Sequence, residues 1–348
     1  MRSASSMWMH HDMSSRSFVD GVRIITQRTT CDGCSWHVVH EWEDDLVRFA
    51  GMRLVSAVGD GGTFRELTGQ ILPWPVWARE TYDPAFVFEM GTGRGQSRNK
   101  PNIIPCIVDF YLRGRLRLKL FRHRYFRAPV VLISSREAYE FLEAANVGLR
   151  LRHFPLSISD RYRISPATCF DKKYDLVLAG RTNPVLNGYL ERYVAVHRDF
   201  RYVYRVRTEE GWRYRASDGA EVANGGKVDS REQYIAYLRM ARAMLYSTPG
   251  MDGANEAANG FNQVTPRFLE GIACGCHVLA RYPRNADTEY YELPRLTPHI
   301  DSYEMFERLL DRARAEPVDM GRYAAYLEAH YTSVRAKRLK QIIGEVWT

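Results

Sequence analysis

Two residues in the segment VTPRFLEGIACGCHVLARYP (264–283) have the types and spacing to hold a phosphorylated ligand: Arg267 and, three positions on, Glu270. Thr265 is a suitable helix N-cap. Pro266 suits the first helical position, where the N–H that proline lacks would be unpaired in any case. A helix start offers free N–H groups and about half a positive charge, so it is a seat for phosphate. Arg267 and the N–H groups around Val264 and Thr265 would strengthen that seat. A carboxylate one turn further in accepts two hydrogen bonds from a ribose diol, and phosphate plus ribose makes a nucleotide the economical ligand. The same pair also reads as a surface ion pair worth under about 1 kcal/mol, since Arg-x-x-Glu is common on helices.

Positioning such a pair takes a helix seated on a sheet. Phe268, Leu269, Ile272 and Ala273 give the helix an apolar face, Gly275 ends it, and residues 277–282 read as the next strand. Strands and helices alternate through most of the chain, which predicts parallel sheets covered on both faces. Strands are expected at 22–27, 53–58, 85–89, 103–108, 129–133 and 151–154, with helices at 36–49 and from Ser134 to about 145. The polar, irregular stretch 155–170 is the expected interdomain linker. Strands follow at 174–179, 202–206 and 243–247, a helix at 186–196, a hairpin or loop insertion at 211–222, and a helix opened by the capping box Ser230-x-x-Gln233. Residues 248–263, rich in Gly and Asn and without periodicity, are the expected binding loop. Helices at 303–313 and 320–346 close the chain, and the domains divide as 18–158, 170–318 and 319–348.

The chain has 348 residues, 45% of them hydrophobic, which is enough for two cores. No apolar run reaches the roughly 18–20 residues of a membrane span, and the first residues lack the apolar core of a signal peptide, so a cytoplasmic protein is expected. The six cysteines are scattered. Cys31-x-x-Cys34 has no second pair to complete a zinc site, and Cys274 and Cys276 fit a helix-to-strand turn, so no metal is expected. The net charge of +8 points to anionic partners. Within 112–127, seven Arg and Lys residues interleave with Leu112, Leu116, Leu120, Phe121, Tyr125 and Phe126. Three readings stand: a basic amphipathic helix lying on an anionic membrane, possible at the inner face of the membrane if the protein is peripheral there; a domain helix with its leucines in the core; or an RNA surface. No nucleic-acid recognition module accompanies the charge, so nucleic acid is not expected.

Several segments, in order, resemble the GT-B glycosyltransferases. Ala273-Cys274-Gly275-Cys276-His277-Val278-Leu279 matches the small-residue turn after the family's nucleotide-binding helix, which places Glu270 where the family's ribose-binding glutamate sits. YDLVLAGRT resembles the first strand of the nucleotide domain, with Gly180 and Arg181 at the turn that reaches the diphosphate. VVLISSREAYEFLEAANVGLRLRHFPLSIS resembles the close of the acceptor domain. The nearest subgroup is the family 1/4-like, CgeB-type bacterial enzymes of surface polysaccharide synthesis.

The resemblance implies an α/β fold of two Rossmann-like parallel-sheet domains facing across a cleft, with a C-terminal helix crossing back to the first. It implies transfer of a sugar from a UDP- or GDP-type donor to a saccharide or lipid-linked acceptor, with no further cofactor. Arg181, Asn262, Gln263, Val264, Thr265, Arg267 and Glu270 would bind the donor. Retaining members carry a glutamate eight residues before the ribose glutamate; here that position is Asn262, and the family's lysine near Gly-Arg is absent. A retaining outcome is expected nonetheless. If the enzyme inverts, Asp32 or His37, between the first strand and helix, would be the base on the acceptor hydroxyl. Asp32-Gly33 also reads as a plain turn and His37 as a helix start. The alternatives are a nucleotide-sugar epimerase of the same fold, or a non-catalytic module that binds polyanions or membranes.

Overall fold

The alternation of apolar strands and amphipathic helices produces two separate sheets. The computed structural model describes residues 21–31, 33–56, 83–92, 97–209, 211–220, 222–226 and 230–347; Asp32 lies outside them. The first sheet comprises β1 (Arg23–Thr26), β2 (Arg53–Ser56), β3 (Ala85–Glu89), β4 (Ile103–Ile107), β5 (Val131–Ile133) and β6 (Leu151–His153). Their order is β2-β1-β3-β4-β5-β6, and every pairing is parallel. Every residue of β3, β4 and β5 is buried, as expected of strands covered on both faces. Helix α1 (Cys34–Ala50) contributes Trp42 and Leu46 to this core and ends at Gly51 in the left-handed conformation.

Helices α2 (Arg115–Tyr125) and α3 (Arg136–Ala144) follow β4 and β5. On α2 two leucines of the stripe face outward: Leu116 and Leu120 are 71% and 58% exposed. The buried side is instead Phe121, edge-on to Phe110 at 5.3 Å, and Tyr125, whose hydroxyl donates to Glu89 Oε2 at 2.5 Å. Aromatic rings and one buried hydrogen bond chiefly seat this helix, with Leu118 and, just before it, Leu112 packed partly against the same core, so the reading with its leucines in the core holds only in part.

The second sheet has β7 (Tyr174–Val177), β8 (Tyr202–Thr208), β9 (Gly211–Ala216), β10 (Ala241–Ser247) and β11 (His277–Arg281), in the order β11-β10-β7-β8-β9. All pairs are parallel except the β8–β9 hairpin. Around it lie α4 (Pro184–Val196), α5 (Arg231–Arg239), α6 (Pro266–Ala273), α7 (Ala286–Tyr290), α8 (Leu293–Leu296), α9 (Tyr303–Ala315) and α10 (Met320–Leu327). Gly271 lets α6 press onto β10, since a Cβ there would stand 2.3 Å from Met244 Sδ. The short helices α7 and α8 lack enough periodicity to be legible in the sequence.

The long helix expected over 320–346 is two. Met320–Leu327 packs on the second domain, and α11 (Thr332–Trp347) crosses to the first, where Ala336, Leu339, Ile342 and Ile343 join its core. Between them a turn at 328–330 leads into a single β-bridge of Tyr331 with Ile158 of the linker: Ile158 N–H donates to His330 O, and Thr332 N–H donates back to Ile158 O, both at 3.0 Å. No Gly or Pro marks this break, which depends on the distant linker.

Candidate active site

In a parallel sheet, ligands bind at the strands' carboxyl ends where the strand order reverses. In the second sheet that point lies between β7 and β10. After β7 the chain turns at Gly180, with φ +80°. Arg267, in the first turn of α6, reaches across it and donates from Nη1 to Ala179 O and Arg181 O, each at 3.0 Å. A Cβ on Gly180 would stand 2.7 Å from that nitrogen, so glycine supplies both the left-handed turn and the room for the guanidinium. The structure thus joins Gly180, Arg181 and Arg267, and Arg181 is exposed. Gly180→Ala should displace Arg267, cost about 1–2 kcal/mol of stability through backbone strain, and weaken nucleoside diphosphate binding roughly 10- to 100-fold. Urea unfolding and titration calorimetry would check both effects.

Glu270 lies one turn further along α6. Its carboxylate is buried: Arg231 Nη2 donates to Oε1 at 2.5 Å, and Tyr234 Oη donates to Oε2 at 2.9 Å. Ser230, whose hydroxyl accepts from Gln233 N–H at 3.3 Å, caps α5 and so sets Arg231 in place. Arg231 Nε also lies 3.3 Å from Glu41 Oε2 on α1 of the first domain. Glu41 in turn accepts from Tyr162 Oη and pairs with Arg161 at 3.6 Å. Burial pushes the Glu41 carboxyl up, and the charge of Arg231 opposes it.

The 248–263 loop is drawn against the first domain. Arg281 Nε donates to Asp252 Oδ2 at 2.6 Å, and Asn183 Nδ2 donates to the same oxygen at 2.9 Å, which fixes the loop's start. Its end is fixed by Phe261, packed edge-on between Phe110 and Phe141 under the Arg113 guanidinium. Asn262 N–H donates to Glu137 Oε2 at 2.7 Å, and its Oδ1 accepts from Thr248 Oγ1 at 2.8 Å. Gln263 Nε2 donates to Val108 O and Ser134 Oγ, both at 2.8 Å, so this side chain ties the domains together, while its buried Oε1 has no partner among the described residues. Val264 is in the core. Thr265 occupies the N-cap position, but its hydroxyl makes no capping bond, and its N–H donates to Tyr246 Oη at 3.1 Å and so is not free for phosphate.

On the facing side, Asp109 follows β4 at the cleft. Burial pushes its carboxyl up to about 6, against the Tyr111 hydroxyl, which donates to Oδ1 at 3.4 Å, and the positive charge of Arg181 on the other domain. A carboxyl at a strand's carboxyl end, poised near neutrality opposite a cation, is suited to general-base work. Nothing in its spacing marks it in the sequence. His37 is half-buried in the first turn of α1, with its ring 6.0 Å from that of His40. Asp287 of α7 caps α3 across the cleft, accepting from Ser135 Oγ at 2.5 Å, Arg136 N–H at 3.1 Å and Glu137 N–H at 3.0 Å.

Residues 186–341 match the family described as Glycosyl transferase-like. Among solved structures, a glycosyltransferase from Rickettsia africae is 9% identical, with a TM-score of 0.52 over 93% of this chain and 98% of that one. Sucrose-phosphate synthase from Thermosynechococcus elongatus is 12% identical, with a TM-score of 0.54 over 94% and 98%. AviGT4, a glycosyltransferase involved in avilamycin A biosynthesis, is 14% identical, with a TM-score of 0.54 over 92% and 96%. These structures share the arrangement of two facing α/β domains, and the fold of this chain is GT-B. No curated protein sequence matches the chain.

Proposed function

We propose that this GT-B glycosyltransferase moves a sugar from a nucleoside diphosphate donor, of UDP or GDP type, to a hydroxyl of a saccharide or lipid-linked acceptor. The observation that carries the reading is Arg267 folded over the Gly180 turn at the switch point, with Glu270 one turn behind it. Arg267 and Arg181 neutralise the diphosphate, and Glu270 receives the ribose. Asp109 takes the proton of the acceptor hydroxyl as that oxygen bonds to the anomeric carbon. The bond from that carbon to the diphosphate oxygen breaks, and its electron pair leaves with the diphosphate. A base on the acceptor side and an amide at Asn262 in place of a carboxylate favour inversion over the retaining outcome. Thermal shift against UDP, GDP, dTDP and CMP, followed by transfer from the matching nucleotide sugar with the product anomer read by NMR, tests the reading. Saturating nucleoside diphosphate should add about 2.7 kcal/mol at 100 times its dissociation constant; no shift with any of them would sink it.

The acceptor's location follows from α2. Leu116, Leu120 and Phe126 are exposed, and no acidic residue occurs between Asp109 and Glu137. No described helix is long and apolar enough to cross a membrane. The helix begins where Arg113, at the cleft, donates to Asn259 O at 2.7 Å. An anionic bilayer under α2 would hold a lipid-linked acceptor near Asp109. Changing Leu116, Leu120 and Phe126 together to serine should lower partition into anionic vesicles at least about tenfold while leaving thermal stability unchanged. Flotation assays would show it, and an unaltered partition would refute the membrane reading.

A further inference from the structure

The Glu270 carboxylate is 2% exposed, and both its oxygens are engaged. Each oxygen keeps a second lone pair, but with the carboxylate buried beneath these two donors a ribose diol reaches it only once one of them moves aside. Among the described residues the Tyr234 hydroxyl donates to Glu270 alone, whereas Arg231 already reaches a second carboxylate, Glu41 of the facing domain, at 3.3 Å. The guanidinium is thus shared between two buried acids, one from each domain. Buried charge clusters of this kind contribute little net stability, and their best-attested use is to set register or to switch.

We propose that Arg231 is the positioning residue of the ribose subsite. A donor ribose takes the Glu270 oxygen that Arg231 now holds, and the guanidinium passes wholly to Glu41. The donor's sugar ring thereby tightens the contact between the domains, with Tyr162 and Arg161 holding Glu41 ready to receive the charge. The inference rests on Glu270 being the ribose ligand.

The test compares affinities for UDP and 2′,3′-dideoxy-UDP, and for the GDP pair, by titration calorimetry. The unaltered protein should prefer the diol at least about tenfold, as expected of hydrogen bonds to a charged group. In Glu41→Gln, Arg231 has nowhere charged to go and competes with the ribose, so the preference should fall about tenfold while dideoxy affinity, which also reports folding, stays unchanged. Glu41→Asp should show a smaller loss and serves if the glutamine variant does not fold. In an Arg231→Met background the Glu41 change should have no effect on the preference, a coupling that a merely structural role would not produce. A preference that Glu270→Gln abolishes but both Glu41 variants leave intact overturns the proposal alone. No preference in the unaltered protein removes the ribose reading and the proposal with it.

Discussion

Glu270→Ala should lower folding stability by about 3–5 kcal/mol, beyond what an average substitution costs. The loss does not come from packing, since the side chain is short of apolar surface. It comes from the groups left behind: an Arg231 guanidinium, 10% exposed, that keeps only Glu41, and a buried Tyr234 hydroxyl without its acceptor. Burial pushes the Tyr234 phenol well above its ordinary range, so it cannot shed its proton to relieve the loss. Glu270→Gln keeps an oxygen for one donor and should cost clearly less. Both variants should lose the preference for the ribose diol and so bind nucleoside diphosphate about tenfold more weakly. Urea midpoints at neutral pH decide the matter: equal stability of the alanine variant and the unaltered protein would mean that Arg231 finds water or another acid.

Asp109→Asn should lower kcat by about 10²–10⁴, the usual worth of a positioned base. Its stability should move the other way. In the folded protein the carboxyl titrates near 6 against an ordinary 3.8, so the fold holds its proton more tightly than the unfolded chain does. Stability therefore falls as pH rises from about 4 to about 6, and the deficit persists above that range. The asparagine variant lacks this penalty and at neutral pH should be as stable as the unaltered protein or more so. Activity in the unaltered protein should rise with pH through about 6, as the base loses its proton, and the variant's residual activity should lack that limb. Retention of more than a tenth of kcat would remove Asp109 from the mechanism.

The fold was largely legible because its signals are local. β3, β4 and β5 are short apolar runs, α6 opens with Thr265-Pro266 and closes at Gly275, and Gly180-Arg181 follows a strand, as the family pattern requires. The site was only partly legible because its partnerships are not local. Arg231 meets Glu270 and Glu41 across 39 and 190 residues. Asp109 ends an apolar strand with no motif around it, and its poise depends on burial and on Arg181 of the other domain. Gln263 was expected to hold a sugar, yet its amide is given to Val108 and Ser134, acceptors that no spacing reveals. On α2 a leucine stripe and an aromatic pair competed for the core, and rings fitting against Phe110 took it.

The helix that crosses back has a consequence for synthesis. Leu339, Ile342 and Ile343 belong to the first domain's core but are made only after the whole of the second domain. Chains leave the ribosome at ~5–20 residues per second. For some tens of seconds after β6 emerges, the first sheet waits with the face that α11 will cover open to water. The second domain, complete once α10 is made, is free to fold in that interval. The order in which the two halves are finished is then the reverse of the order in which they are begun.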